Sequence, residues 1–326
     1  MTTVNAYSQL TLVELAKRKD PDGSMAAIVE VLAQDNEILM DALWLEANDT
    51  FSNKITRRAS LPAGAWRKLN SGIAVDASRT VEAVEQIGML EAYSRVDVDL
   101  VAAAPNPKQF RMDEASAFLE GLSQTLASTF IYGATTTAPE QFDGLAPRLA
   151  SLAATTNVIG AGGSGGDTTS VFIVQWGPNR VHMVYPKGDP FMGIRHKDLG
   201  IQIVDDGSGN LYQAYVDHFQ VKCGLCVKDN RCIARYTNIE VTGSTYVFDE
   251  DYLIRLLNRM PNSGRGAVIY LNKNCKSYAE IALKDKTNVW WKSGKGEGLA
   301  GEEFLYFRGN PVRVVDKIVS TETAIA

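Results

Sequence analysis

Three of the four cysteines, Cys223, Cys226 and Cys232, fall in one short stretch with His218 just upstream. The Cys-Gly-Leu-Cys spacing suits one half of a zinc site. A tetrahedral site needs a second pair at ligand spacing, and Cys275 is remote. In a strand, Cys223 and Cys226 also point to opposite faces. Cysteine is commonly a small buried hydrophobe, so packing is the expectation here, with no metal and no cofactor. The other histidines, His182 and His196, stand in strand or loop contexts with no HExxH or triad pattern around them. They read as structural.

Two further stretches resemble chemistry and do not complete it. "GAGGSGGD", residues 160–167, is glycine-rich like a phosphate cradle, but a P-loop needs a lysine and a helix directly after it. The next residues are "TTSVFIVQW", β-branched and aromatic, which predicts a strand. The loop therefore reads as flexible slack. "FDEDY", residues 248–252, is a helix-start signal before it is an acid/base pair.

What remains are two clusters suited to contact. Arg57, Arg58, Arg67 and Lys68 flank Trp66 in a polar, turn-rich segment. Arginine pairs bidentately with carboxylates and tryptophan anchors interfaces; the alternative is a solvated loop. Trp290 and Trp291 are adjacent within "KDKTNVWWKSGKGEGLAGEE". They pack either within the chain or against another one.

The elements that must carry these clusters can be read along the chain. "LTLVELAKRK" predicts a short amphipathic helix, and Ser24 caps a longer one running to about Asn48. From Phe51 to Leu100 apolar residues thin out. "LPAGAWRKLNSG" is a turn-rich tip and "RVDVDLV" alternates as a strand does. The segment predicts a long hairpin-like excursion with little core. Pro107 then opens a helix whose face is marked by Ala115, Phe118, Leu119, Leu122, Leu126 and Phe130, closed by Gly133. To Tyr132 it would span ~40 Å. Residues 168–240 predict strands with "DDGSGN" as a hairpin turn. A helix capped by Asp249, the strand "GAVIYLN", a helix "KSYAEIALKD" and two strands around a Gly-Asn-Pro turn finish the chain.

Composition sets the outer bounds. The 326 residues are 45% hydrophobic and 22% charged with a net charge of -5, an ordinary globular balance. No basic excess favours sequence-independent nucleic-acid binding. No secretory leader, membrane span or disulfide framework is visible, so a soluble protein of a reducing cytoplasm is expected. The whole is an α+β protein whose extended parts must bury surface on another copy.

The order of these parts resembles the major capsid proteins of tailed double-stranded DNA bacteriophages, with the Hong Kong ninety-seven coat fold. The matching pieces are the N-terminal arm, the loop carrying "KITRRASLPAGAWRKLNSG", the spine helix ending "LASTFIYGATTTAPEQFDGLAPRL", and "VIYLNKNCKSYAEIALKD" leading to "LYFRGNPVRVVDKI". The resemblance implies an arm over residues 1–46, an extended loop over 47–100, a peripheral domain over 101–243 and an axial domain over 244–326. The β-rich stretch precedes the Gly-x-Pro-Val segment, which leaves two readings open: a strand order permuted relative to the prototype, or strand assignments shifted along the chain. The implied function is a non-enzymatic subunit forming hexamers and pentamers of an icosahedral shell around double-stranded DNA, in the virion, after assembly in the host bacterial cytoplasm. The short stretch before the loop implies a separate scaffolding protein, alongside a portal and a decoration protein. An encapsulin-like compartment shell and a soluble enzyme with an unrecognised site are the alternatives.

Overall fold

The computed structural model describes residues 36–153, 156–189, 193–285, 291–295 and 303–326. The helices expected over 10–19 and over 24–35 lie outside these residues. The described chain divides into two compact units.

The first unit comprises Met89–Leu126 and residues 193–222. Its frame is an antiparallel hairpin of β8 (Arg195–Asp205) and β9 (Leu211–Val227), with β4 (Gly88–Asp97) beside β9. The turn falls at the predicted Asp-Asp-Gly-Ser-Gly-Asn. "RVDVDLV" is only half strand. Asp97 accepts from the Asp99 N–H and starts a helix, α2 (Val98–Ala103). That cap overrides the alternation. Val96, Leu100, Val101, Ala104 and Phe110 form a core, so the second half of the excursion is not coreless as its composition implied.

The expected long helix is α3 (Pro107–Tyr132), beginning at its proline. Its N-terminal part belongs to the first unit, where Phe118 stacks on Phe219 with ring centroids 5.7 Å apart. Leu119, predicted on the buried face, is exposed.

The second unit holds the larger core. Its sheet runs β12-β13-β14-β11-β6-β10-β5, with β5 (Val158–Gly160), β6 (Thr168–Val174), β10 (Ile233–Glu240), β11 (Val268–Leu271), β12 (Trp291–Lys295), β13 (Glu303–Phe307) and β14 (Asn310–Val314). All seven residues of β6 are buried, the polar Thr168, Thr169 and Ser170 together with the apolar Val171, Phe172, Ile173 and Val174. The helix α5 (Glu250–Arg259) packs Leu253, Leu256 and Leu257 into this core. The Asp249 carboxylate accepts from the Asp251 N–H, as the sequence predicts. The helix α6 (Lys273–Asp285) comes after β11, and the turn before β14 sits at Arg308 and Gly309, one step earlier than expected.

The glycine-rich loop is not slack. Its first residue, Gly160, ends β5, which runs parallel to β10, and the Gly163 N–H donates to the Asn238 carbonyl at 3.0 Å. A Cβ on Gly163 would lie 2.5 Å from that same oxygen. Glycine is used here for close approach.

The C-terminal segment is stitched across this unit. Glu322 lies buried, receiving Arg235 Nη2 at 3.0 Å and the Tyr132 hydroxyl at 2.5 Å. The Ile325 N–H donates to Asn238 Oδ1 at 3.0 Å.

In place of the helix predicted to reach Asn48, the structure has one turn, α1 (Ile38–Asp41), then β1 (Trp44–Glu46). β1 runs parallel to β7 (Val181–Tyr185), which pairs in turn with the last residues of β9. Pairing to a neighbour strand overrides the helical periodicity.

Candidate assembly interface

The excursion is a ribbon of β2 (Ser52–Ser60) and β3 (Arg79–Gln86) in antiparallel register, Lys54 opposite Val84 and Arg57 opposite Val81. Residues 61–78 form its tip. Alternation sets one face of β2 inward: Asn53 and Ile55 are buried, while Lys54, Thr56 and Arg58 are exposed.

The root is held firmly. Ile55 and Ile87 pack with Ala47, Val184 and Cys226, and Asn53 Nδ2 lies 3.1 Å from Cys226 Sγ. Arg148, at the end of the short helix α4 (Leu145–Arg148), grips the buried Glu85 of β3 bidentately at 2.9 and 2.6 Å. A forked pair of this kind fixes orientation as well as charge. Arg57 shares Glu85 at 3.5 Å and also donates to the Val227 carbonyl. Gly224 of β9 faces the Gln86 carbonyl so closely that a Cβ would collide with it.

The tip is different. Its hydrogen bonds turn back on itself: the Ala63 N–H to Asp76 Oδ2 at 3.1 Å, and Arg67 Nε to the Ser71 carbonyl at 2.8 Å. Leu61, Trp66, Leu69 and Val75 are largely or wholly exposed. Such an apolar set, displayed among Arg58, Arg67 and Lys68, is the signature of a contact surface.

The sequence-derived candidates thus divide. Trp66, Arg67 and Lys68 share the exposed tip, and Arg58 stands exposed on the ribbon. Arg57 is bound into the root of its own chain. Trp290 lies outside the described residues, and Trp291 opens β12. Glu85 and Arg148 escape a reading of the sequence because 63 residues separate them. In the sequence Arg148 follows an ordinary Ala-Pro pair.

The thiols lie in the packed interior. All four cysteines are free and buried. Burial pushes Cys223 and Cys275 up to about 12 and Cys232 up to about 11. Among the described residues, no three His, Cys, Asp or Glu side chains are grouped to hold a metal ion. His182 is buried, and burial lowers it to about 4, helped by nearby Lys228 and opposed by a hydrogen bond with the Gly177 backbone. His196 Nε2 lies 2.9 Å from Asp217, and His218 stacks on Tyr93 with centroids 4.4 Å apart. No described helix is long and apolar enough to cross a membrane.

Comparison with known proteins agrees with this geometry. The family model described as major capsid protein GP7 matches residues 20–326. A chain of the near-atomic structure of bacteriophage epsilon15 is 30% identical, with TM-score 0.73 over 99% of both chains. More distant are an encapsulin complex from Synechococcus elongatus and the capsid of a native GTA particle. The first is 12% identical with TM-score 0.48, over 73% of this chain and 100% of that one. The second is 12% identical with TM-score 0.43, over 67% of this chain and 94% of that one. No curated protein matches the chain. With a family match over most of its length and a shared fold over nearly all of it, the chain belongs to the major capsid protein GP7 family and is a phage capsid shell subunit of the Hong Kong ninety-seven type.

Proposed function

We propose that this subunit assembles as hexamers and pentamers into an icosahedral shell around double-stranded DNA. In this reading the tip of the β2–β3 ribbon lies on a neighbouring subunit. Trp66 is its anchor, Arg58, Arg67 and Lys68 face carboxylates of the neighbour, and Trp290 and Trp291 form a second contact. Arg57 orients the ribbon from its root. The parts are an arm over 1–46, the loop over 47–100, a peripheral domain over 101–243 and an axial domain over 244–326. A separate scaffolding protein, a portal and a decoration protein are the expected partners, with assembly in the host cytoplasm and no catalytic role.

The observation that carries this reading is the contrast within one ribbon. Its root is locked by Arg148, Glu85 and a buried apolar cluster, while its tip displays a fully exposed tryptophan. A rigidly aimed apolar tip must bury surface on something else. The net charge of -5 suits a wall facing packaged DNA, because each neutralised phosphate would add affinity and retain the genome.

The test is to express the chain alone and with candidate scaffolding partners, then examine it by sedimentation and electron microscopy. Closed or partly closed shells are expected. A compact monomer under every condition would overturn the reading.

A further inference from the structure

Antiparallel pairing turns the backbone groups of alternate residues toward the partner strand and those between them away. In β2 the Lys54 N–H donates to Asn48 Oδ1 at 2.9 Å, and the Lys54 carbonyl accepts from Asn48 Nδ2 at 2.6 Å. Lys54 therefore faces the edge away from β3. The register Lys54–Val84, Thr56–Glu82, Arg58–Thr80 puts the backbone groups of Thr56 and Arg58 on that same edge. Among the described residues, β2 has β3 as its one strand partner. Beyond the Asn48 cap, the edge opens into a groove of about 940 Å³, lined by Lys54 to Ser60 of β2 with Leu61 of the tip, and opposite them by Asn179, Lys228, Asp229 and Arg231. Asp229 is engaged by Arg231 at 2.9 Å. Lys54, Arg58 and Lys228 leave the groove positive, on a chain that is acidic as a whole.

An open strand edge is a template for a further strand. Backbone bonds supply affinity there, and flanking side chains select the partner. The chain carries a second open edge of opposite charge. Among the described residues, β8 pairs only with β9. Ile201, Ile203 and Leu211 share one face of that hairpin and are 50%, 68% and 70% exposed, an apolar strip ending at Asp205 and Asp206. Burying such residues is favourable by about 25 cal/mol per Å².

We propose that the open edge of β2 in one subunit takes the β8 edge of a second copy as an added strand, with Asp205 and Asp206 against Arg58 and Lys228. The contact joins two different surfaces, so it is head-to-tail and generates a ring where the rotation closes. It rests on the shell-subunit reading but is separate from the contact made by the Trp66 tip.

Proline at position 56 tests it. The Thr56 N–H points away from β3, so Thr56→Pro removes a donor from the open edge and spares the ribbon's own ladder. The variant is expected to keep the circular dichroism of the free subunit while its assembly slows by roughly tenfold or more, equivalent to about 1.4 kcal/mol. Charge reversal is the second arm, and it needs no proline. Asp205→Lys with Asp206→Lys, or Arg58→Glu with Lys228→Glu, should each impair assembly, and the four changes together should restore it. Wild-type assembly by Thr56→Pro, or no recovery in the fourfold variant, would overturn the proposal. So would groove variants that assemble normally and lose only affinity for a short DNA duplex, which would assign the groove to nucleic acid. Should Trp66→Ala also abolish shells, the shell reading stands whichever way the Thr56 result falls.

Discussion

At the scale of single residues, His182 and the cysteines, groups often associated with chemistry, lie buried, and burial shifts their ionisation. His182 is buried on β7, its Nδ1 without a partner among the described residues, and burial lowers it to about 4. The unfolded chain binds that proton near pH 6.5 and the folded one does not until about 4. Stability from this site is therefore intact above about pH 6.5 and is lost as pH falls toward 4. His182→Leu should flatten that part of the stability–pH profile, measured by denaturant unfolding of the free subunit; an unchanged slope would refute the assignment. The cysteines obey the same logic. With Cys223 and Cys275 pushed up to about 12, no thiolate forms near neutrality. Alkylation at about pH 8 should be negligible in the folded subunit and complete after denaturation. Replacing Cys223, Cys226 and Cys232 by Ala or Val should leave assembly largely intact at a modest cost in stability. Stoichiometric zinc in purified particles, lost with those substitutions, would contradict the packing role.

At the scale of elements, position is set by contacts between segments far apart in sequence. The β2–β3 ribbon is aimed by Arg148 on Glu85 and by the close passage of Gly224 under Gln86. Gly224→Val should therefore displace the ribbon root and destabilise the subunit by about 1–3 kcal/mol, the usual range for overpacking, while Gly72→Val in the tip, where a Cβ meets open space, should be neutral. Equal melting temperatures for the two variants would contradict the anchoring role. Likewise Glu322→Ala leaves Arg235 buried beside an empty site, and should cost about 3–5 kcal/mol. These contacts mark the limit of what the sequence discloses. The α3 helix is legible from its proline and apolar spacing, and β6 from its β-branched run, because both signals are local. Trp44–Glu46 is not, because its strand state is imposed by β7. The glycine loop reads as slack in the sequence because the carbonyl it approaches, at Asn238, lies 75 residues beyond Gly163. In the interface, Trp66 and its basic neighbours are visible as residue types in a turn-rich tip. The open edge of β2 is not, since the direction of its backbone groups depends on the register with β3.

At the scale of the whole molecule, the subunit presents apolar surface that its described residues leave exposed. Leu61, Trp66, Leu69 and Val75 stand on a tip whose hydrogen bonds stay within itself. Nothing in the subunit's stability requires these side chains, so substitutions there should separate folding from assembly. Arg67 shows why. Its Nε donates to the Ser71 carbonyl and shapes the tip, while the rest of the guanidinium remains available for a carboxylate on a neighbour. An exposed ion pair contributes only about 0–1 kcal/mol. The same contact repeats at every subunit of a closed shell, and reversing its sign converts attraction to repulsion at each one. Arg67→Glu should leave circular dichroism and melting of the free subunit unchanged, while lowering shell yield and the melting temperature of assembled particles. Trp66→Ala should have the larger effect, as an aromatic anchor does relative to a rim charge. High salt should narrow the difference between Arg67→Glu and wild type and leave that of Trp66→Ala in place, because screening acts on the charge alone. Shells of Arg67→Glu and Trp66→Ala that form with normal yield and melt with wild type would show that the tip meets solvent in the capsid and that subunits are joined elsewhere.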